Sequence, residues 1–415
     1  MLARRAMSNP SEILREARTE LELTTGDVEL QLGLPTGCLA EIEEGRVPLE
    51  TARIDGLARF YGPEPADIAQ GRPIGAALTP VATLLRATGQ HLPPRVRSAM
   101  ARVAAGRREL KRLEQELGRP DRLMILRVAF PAEEPGADEE PLDEWRSTAL
   151  LMTKLREKQQ LGDDGVASMR ELAQQLGVEL IAVDLGDPRV AGFSMSDASH
   201  GPAIIVNLGG ANANPLVRRW TVAHELCHVL YEDADQRRAV QLYDAQPGGP
   251  RHGGPRDGVA RNGTSDTGTI ESVADRFAAN LLAPDGAVRR LHQHARTQNL
   301  PLARQVQRLM EDLGITFAAA CERLMHACSV PEDQLASVKL VSITPARLND
   351  WHTAEATWQD AFFACRSVPE ERRGYFARLV VDGWRARVLD RRQALELLHA
   401  APDEPLEELL GTAET

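Results

Sequence analysis

Nowhere in the 415-residue chain does an apolar run last uninterrupted for the roughly 20 residues that a membrane-spanning helix needs. The opening residues, MLARRAMSNPSEILREAR, carry basic side chains but lack the apolar stretch of a secretory leader. Both absences point to a cytoplasmic protein of bacterial type. There is no C-x-x-C pair either. The five cysteines, Cys38, Cys227, Cys321, Cys328 and Cys365, are odd in number and scattered. That argues against a disulfide framework and against a cysteine zinc ribbon, and makes reduced thiols the default. Positive charge is also short: a net charge of −11 is wrong for a protein that coats DNA unaided. What is present is ordinary for a globular chain, with 43% hydrophobic residues and enough length for roughly two to four domains.

Charge is unevenly spread. Residues 1–75 hold eight arginines against thirteen acids, whereas PPRVRSAMARVAAGRRELKRLEQELGRPDR packs nine Arg/Lys against four acids. If charge carries this protein to nucleic acid, the contact falls in that second stretch, with Arg107, Arg108, Lys111 and Arg112 as the nucleic-acid candidates. The alternative for such a run is a solvated helical face. Neutralising those four residues should then weaken any DNA binding, which should be steeply salt-dependent and weakly sequence-specific.

Residues 11–62 read as four or five short helices, with breaks at Thr24–Thr25, Gly33–Pro35 and Gly45–Pro48. Val28, Leu32, Leu34, Leu39 and Ile42 form the expected apolar seam of two helices joined by a tight turn at Gly33. With its IEEGRVP ending, this pattern resembles the helix-turn-helix domains of the Cro/phage-repressor type. The resemblance implies that PTGCLAEIE, Pro35 to Glu43, enters the major groove. That stretch lacks Arg, Lys, Gln and Asn, the side chains that pair with base edges, and sets Glu41 and Glu43 against phosphates. Glu29 also stands where that family usually has a small Ala. DNA binding stands against a protein-interaction or vestigial role for this unit.

Five regions follow from composition and pattern: the helix-turn-helix domain over 8–72, a basic helical connector over 73–130, an acidic linker over 131–144, a mixed domain over 145–290 and a helical region over 291–415. The linker reading rests on the acid, Pro and Gly content of PAEEPGADEEPLDEW. Strand character begins near Val178 and returns in GFSMSD and GPAIIVNLG, after which PLVRRWTVAHELCHVLYED takes up helical spacing.

TVAHELCHVLYED, residues 221–233, carries His224, Glu225 and His228 as H-E-x-x-H. A helix places residues i and i+4 on one face, so both imidazoles can reach one metal while Glu225 lies beside them to polarise a bound water. Chance alone produces this pattern in roughly one such chain in fifty. A catalytic zinc needs a third protein ligand, and TIESVADRFAANLLAP supplies it. Glu271 starts a helix with apolar positions Val273, Phe277, Ala278, Leu281 and Leu282. Asp275 falls one turn further on, placed to hydrogen-bond the free nitrogen of a ligand histidine.

Residues 145–290 resemble the ImmA/IrrE-type zinc metallopeptidases: TKLREKQQLG, LAQQLGVELIAVDL, RRWTVAHELCHVLYE and ESVADRFAANLLAP follow one another in that family's order. Two departures stand out. Cys227 replaces the usual Gly, and residues 245–269 form a long Gly/Pro-rich insert. A helix turns Cys227 about 100° away from His228, which favours a packed thiol over an inhibitory ligand. His252, in the insert, reads as solvated. The insert itself is a gate over the site or an idle loop.

The resemblance implies zinc (Zn2+) held by His224, His228 and Glu271, Glu225 as the catalytic proton carrier and Asp275 orienting an imidazole. The substrate peptide would lie extended, adding a strand to an edge offered by AIIVNL, with Tyr231, His292 and His294 as weak oxyanion candidates. Cys321 and Cys328, in the C-terminal helices, read as core thiols. The expected fold is α+β and mostly helical: an all-α helix-turn-helix domain, a small zincin-like metallopeptidase domain and a helical C-terminal region. The expected function is zinc endopeptidase action on a regulatory protein, a helix-turn-helix repressor, switching on a stress, mobile-element or defence operon. The alternative is a DNA-binding regulator whose peptidase-like domain senses or binds without cutting.

Overall fold

The computed structural model describes residues 9–48, 50–61, 63, 65–71, 92–129, 144–197, 200–231, 242–244, 267–355, 367–404 and 406. The acidic stretch 131–143 and residues 245–266 of the insert, with His252, lie outside the described residues, as does Cys365.

Five short helices open the chain: α1 (Pro10–Glu20), α2 (Thr25–Leu32), α3 (Cys38–Glu43), α4 (Thr51–Tyr61) and α5 (Pro65–Ala69). Their ends follow from local chemistry. Thr24 and Asp27 form a reciprocal capping box that starts α2, and Gly33 takes the left-handed conformation (φ 63°) that stops it. Val28, Leu39 and Ile42 of the expected seam are buried, while Leu32 and Leu34 are only partly so. Glu29 has a local task. Its carboxylate accepts the backbone N–H of Gly37 at 3.0 Å and of Leu39 at 2.8 Å, capping the start of α3. Glu43 is buried against Arg18, at 2.7 and 2.8 Å, and so does not present charge to a phosphate.

The chain continues through α6 (Pro94–Glu116), α7 (Arg122–Ala129), α8 (Glu144–Lys158) and α9 (Met169–Gln175). Three strands follow: β1 (Glu179–Val183), β2 (Val190–Asp197) and β3 (Gly201–Asn207). A 3-10 turn over Gly210–Ala213 leads into α10 (Pro215–Tyr231), then β4 (Leu242–Asp244) and α11 (Thr267–Leu282). Thr267 to Thr269, read as the end of the insert, therefore belong to a helix. The sheet order is β1-β3-β2-β4, with β1 parallel to β3 and the other pairs antiparallel.

Every residue of β3 is buried, and its side chains divide by the two-residue period of a strand. Ile204 and Val206 join the core that holds Trp220, Ala223 and Leu226 of α10 and Phe277 and Leu281 of α11. Ala203 and Ile205 face the other way, into a core with Val96, Ala99 and Val103 of α6 and with the opening helices. Helices thus cover both faces of the sheet, and the N-terminal helices share a core with its back.

That arrangement corrects the reading of the basic stretch. Arg107 is 2% exposed, ion-paired to Glu179 of β1, and donates to the carbonyl of His200 at 3.1 Å. Lys111, one turn on and buried on the same side, bonds Asp121. Only Arg112 of the four candidates is largely exposed, near Glu116; Arg108 is half-buried. Buried cations need partners, and Arg107 and Lys111 are engaged within the fold rather than forming a face for nucleic acid.

The C-terminal helices are α12 (Asp285–Thr297), α13 (Leu302–Leu313), α14 (Phe317–Cys328), α15 (Glu332–Ala336) and α16 (Pro345–Ala354). A 3-10 turn (Glu370–Arg372), α17 (Tyr375–Arg385) and α18 (Arg391–Leu398) complete the described chain. Helices α12 to α15 extend the α10–α11 core, whereas α17 and α18 pack on Leu110 and Leu113 of α6. Cys321 is buried and Cys328 half-buried; burial pushes the Cys321 thiol up to about 11. The protein is α+β and mostly helical. Among the described residues, no helix is long and apolar enough to cross a membrane.

Candidate metal centre

The approach to α10 is fixed by two buried asparagines. At the end of β3, Asn207 accepts the N–H groups of Leu185 and Gly209 and donates to the carbonyls of Asp187 and Val190. Asn212 donates to the carbonyl of Ala191 at 2.7 Å and accepts from the hydroxyl of Thr221, on α10, at 2.9 Å. Gly210 between them has φ +64°, and a Cβ there would stand 2.4 Å from the Pro188 carbonyl oxygen. Only glycine fits this turn.

One face of α10 carries Trp220, Ala223 and Cys227 into the apolar core. Cys227, 2% exposed, is thus a core thiol within an apolar cluster. His224, Glu225 and His228 are buried too, at 1%, 0% and 3% exposure. The two imidazoles converge, with Nε2 of His228 3.1 Å from Nε2 of His224. Asp275 of α11 lies 3.0 Å from Nδ1 of His224 and is 43% exposed, so solvent reaches this end of the cluster.

An ionised carboxylate only accepts hydrogen bonds, so the contact with Asp275 places a proton on Nδ1 of His224 and leaves the Nε2 lone pair available. Two imidazole nitrogens bound to one tetrahedral zinc at about 2.0–2.1 Å stand about 3.3 Å apart, close to the spacing found here. The pair therefore fits a metal. Glu271 lies one turn before Asp275 on α11, but its side chain is outside the described residues. Among the described residues no group of three His, Cys, Asp or Glu forms a complete metal-holding set.

The remaining site candidates divide. Tyr231 ends α10 with its side chain outside the described residues. His294 pairs with Gln298 at 3.1 Å on α12, and His292, its pKa lowered by burial, neighbours Gln305. Neither contact joins them to the α10 pair. The strand-adding edge expected at AIIVNL is corrected as well. β3 lies between β1 and β2, so its backbone is already paired on both sides.

One pair near the site carried no sequence signal. Arg219, on α10, is fully buried and ion-paired to Glu355, just beyond α16, with its guanidinium 4.2 Å over the Trp351 ring. It also donates to the carbonyl of Gly314 at 3.1 Å and to that of Ala167. Glu355 in turn accepts the N–H groups of Met169 and Arg170 at the start of α9. Burial lowers the Arg219 pKa, opposed by Glu355. The ion pair ties α9, α10 and the α16 end together. Its only visible trace is an Arg next to Trp220 on α10.

No curated protein and no solved structure matches the chain. Residues 173–325 match the sequence profile described as the IrrE N-terminal-like domain, Peptidase M78. The matched segment runs from α9 through the four strands, α10 and α11 and into α14, past the boundary expected at residue 290. Over that segment the chain is similar to the IrrE N-terminal-like domain.

Proposed function

We propose that this protein is a zinc-dependent endopeptidase that cuts a regulatory protein of the helix-turn-helix repressor class, releasing a stress, mobile-element or defence operon from repression. The observation that carries the reading is the convergence of the His224 and His228 Nε2 atoms at 3.1 Å, with Asp275 holding Nδ1 of His224 from behind. His224, His228 and Glu271 would hold the metal, which when bound supplies Lewis-acid polarisation of the scissile carbonyl and a more acidic water. Glu225 accepts the proton of the attacking water and delivers it to the leaving amine. Its neighbours on α10 are buried, so the carboxylate works in a site with little competing solvent. Asp275 keeps His224 in one tautomer and orientation through the reaction.

The opening helices serve in this reading as the partner-recognition unit. The exposed side of α3 offers no Arg, Lys, Gln or Asn to a base edge, and its amino end is occupied by Glu29. A non-cutting regulator would have no use for a carboxylate at residue 225 beside the two histidines. The test is incubation of the full chain with helix-turn-helix repressors encoded beside its gene, wild type against Glu225→Gln. The proposal expects one discrete cut in one repressor by the wild type alone. Equal cleavage by the variant, or none by either with zinc bound, contradicts it.

A further inference from the structure

The arginines of the basic stretch that do not enter the core lead elsewhere. Arg119 and Arg122, at the α6–α7 junction, open onto a cavity of about 390 Å³. Arg170 and Gln174 of α9 form a second wall, Tyr375, Arg378, Leu379 and Asp382 of α17 a third, and Gly177 to Leu180, leading into β1, the floor. Four guanidinium groups from separate parts of the chain meet two lining carboxylates, Glu179 and Asp382. Both carboxylates are shared: Glu179 is buried against Arg107 and lies 3.5 Å from Arg122, and Asp382 pairs with Arg119 at 3.1 Å. Glu114, behind Arg122 at 2.7 Å, and the exposed Glu171, 3.4 Å from Arg170, also touch this set. The wall itself carries four guanidinium groups and two carboxylates.

Two details favour a bound ligand over a purely structural cluster. Among the described residues none accepts a hydrogen bond from Nε of Arg170, although that atom is buried. Unsatisfied buried donors are uncommon in native proteins and mark places where a further partner belongs. Arg122 also lies 4.7 Å over the Tyr375 ring, and Leu180 and Leu379 add apolar surface to the same cavity. The volume is within the roughly 300–1,000 Å³ of small-molecule sites and too small for a folded partner.

We infer that this cavity binds a small phosphorylated organic molecule, its phosphate held by the forks of Arg119, Arg170 and Arg378 and its apolar body resting on Tyr375 and Leu379. Planar guanidinium groups bind phosphate oxygens in pairs, and convergence from three elements suits a multiply charged group. The site is separate from the His224 cluster and independent of what that cluster does. It has a direct line to it all the same: Arg170 belongs to α9, whose first N–H groups bond Glu355, the partner of Arg219 on α10.

The test is calorimetric titration of the full chain with adenosine monophosphate, adenosine diphosphate and inorganic pyrophosphate, alongside amide hydrogen exchange. Arg119 and Arg378 are exposed, so R119Q/R378Q leaves the cores intact. We expect saturable binding of at least one nucleotide, weakened about tenfold or more in the double variant, with slowed exchange in α9. No saturable binding of any of the three probes overturns the inference. So does unchanged affinity in R119Q/R378Q, or binding that leaves exchange in α9 unaltered. Binding of a DNA duplex that depends on Arg119 and Arg378, with no nucleotide bound, would also overturn it and assign the surface to nucleic acid.

Discussion

Nδ1 of His224 on α10 donates to Oδ1 of Asp275 on α11 at 3.0 Å, joining residues 51 positions apart. This bond fixes which imidazole nitrogen faces His228. Asp275→Ala should therefore weaken zinc affinity by about 10- to 100-fold while leaving the helices in place. Competition against a chelator, read with circular dichroism, measures both. Unchanged affinity would leave Asp275 with no orienting role.

Glu225→Gln removes the proton acceptor and keeps the shape of the side chain. Cleavage of the repressor substrate should fall by about 10²- to 10⁴-fold with metal content unchanged. Single-turnover rates on matched zinc-loaded samples decide this.

The buried Arg219–Glu355 pair should behave as a structural clasp. Glu355→Ala strands a guanidinium that is 0% exposed and frees two N–H groups of α9, so stability should drop by about 3–5 kcal/mol. Urea denaturation of the variant would show it as a lower midpoint. A change within about 0.5 kcal/mol, typical of a surface substitution, would mean that the pair does not hold the helices together.

A thiol reacts as its thiolate, and burial raises the Cys321 pKa to about 11, which disfavours that form. At pH 8 only about one Cys321 in a thousand is ionised, so iodoacetamide should label it far more slowly in the native protein than in denaturant. Its labelling should accelerate as pH rises towards 11. Mass spectrometry of labelled peptides follows the site directly.

Much of the site could be read from spacing, because its determinants are local. Val273, Phe277, Ala278, Leu281 and Leu282 of α11 are all buried, as the helical period predicts, which aims Asp275 towards α10. The capped start of α2 and the Gly33 turn are equally local, written in Thr24, Asp27 and one glycine. What could not be read depends on partners distant in sequence. Arg107 resembles any exposed helical arginine until Glu179 and the carbonyl of His200 are beside it. AIIVNL has the pattern of a buried strand, but a pattern does not say whether neighbours lie on one side or two. Glu355 caps the end of α16, and its local sequence gives no hint of Arg219.

The central claim is that His224, His228 and Glu271 hold one zinc beside Glu225. Elemental analysis of protein purified without added metal tests it most directly, comparing wild type with Glu225→Gln, His224→Ala, His228→Ala and Glu271→Ala. The account predicts about one zinc per chain in wild type and Glu225→Gln, and near-complete loss in the other three. A wild-type protein that binds no zinc even when supplied with it, or full occupancy in His224→Ala, would contradict it.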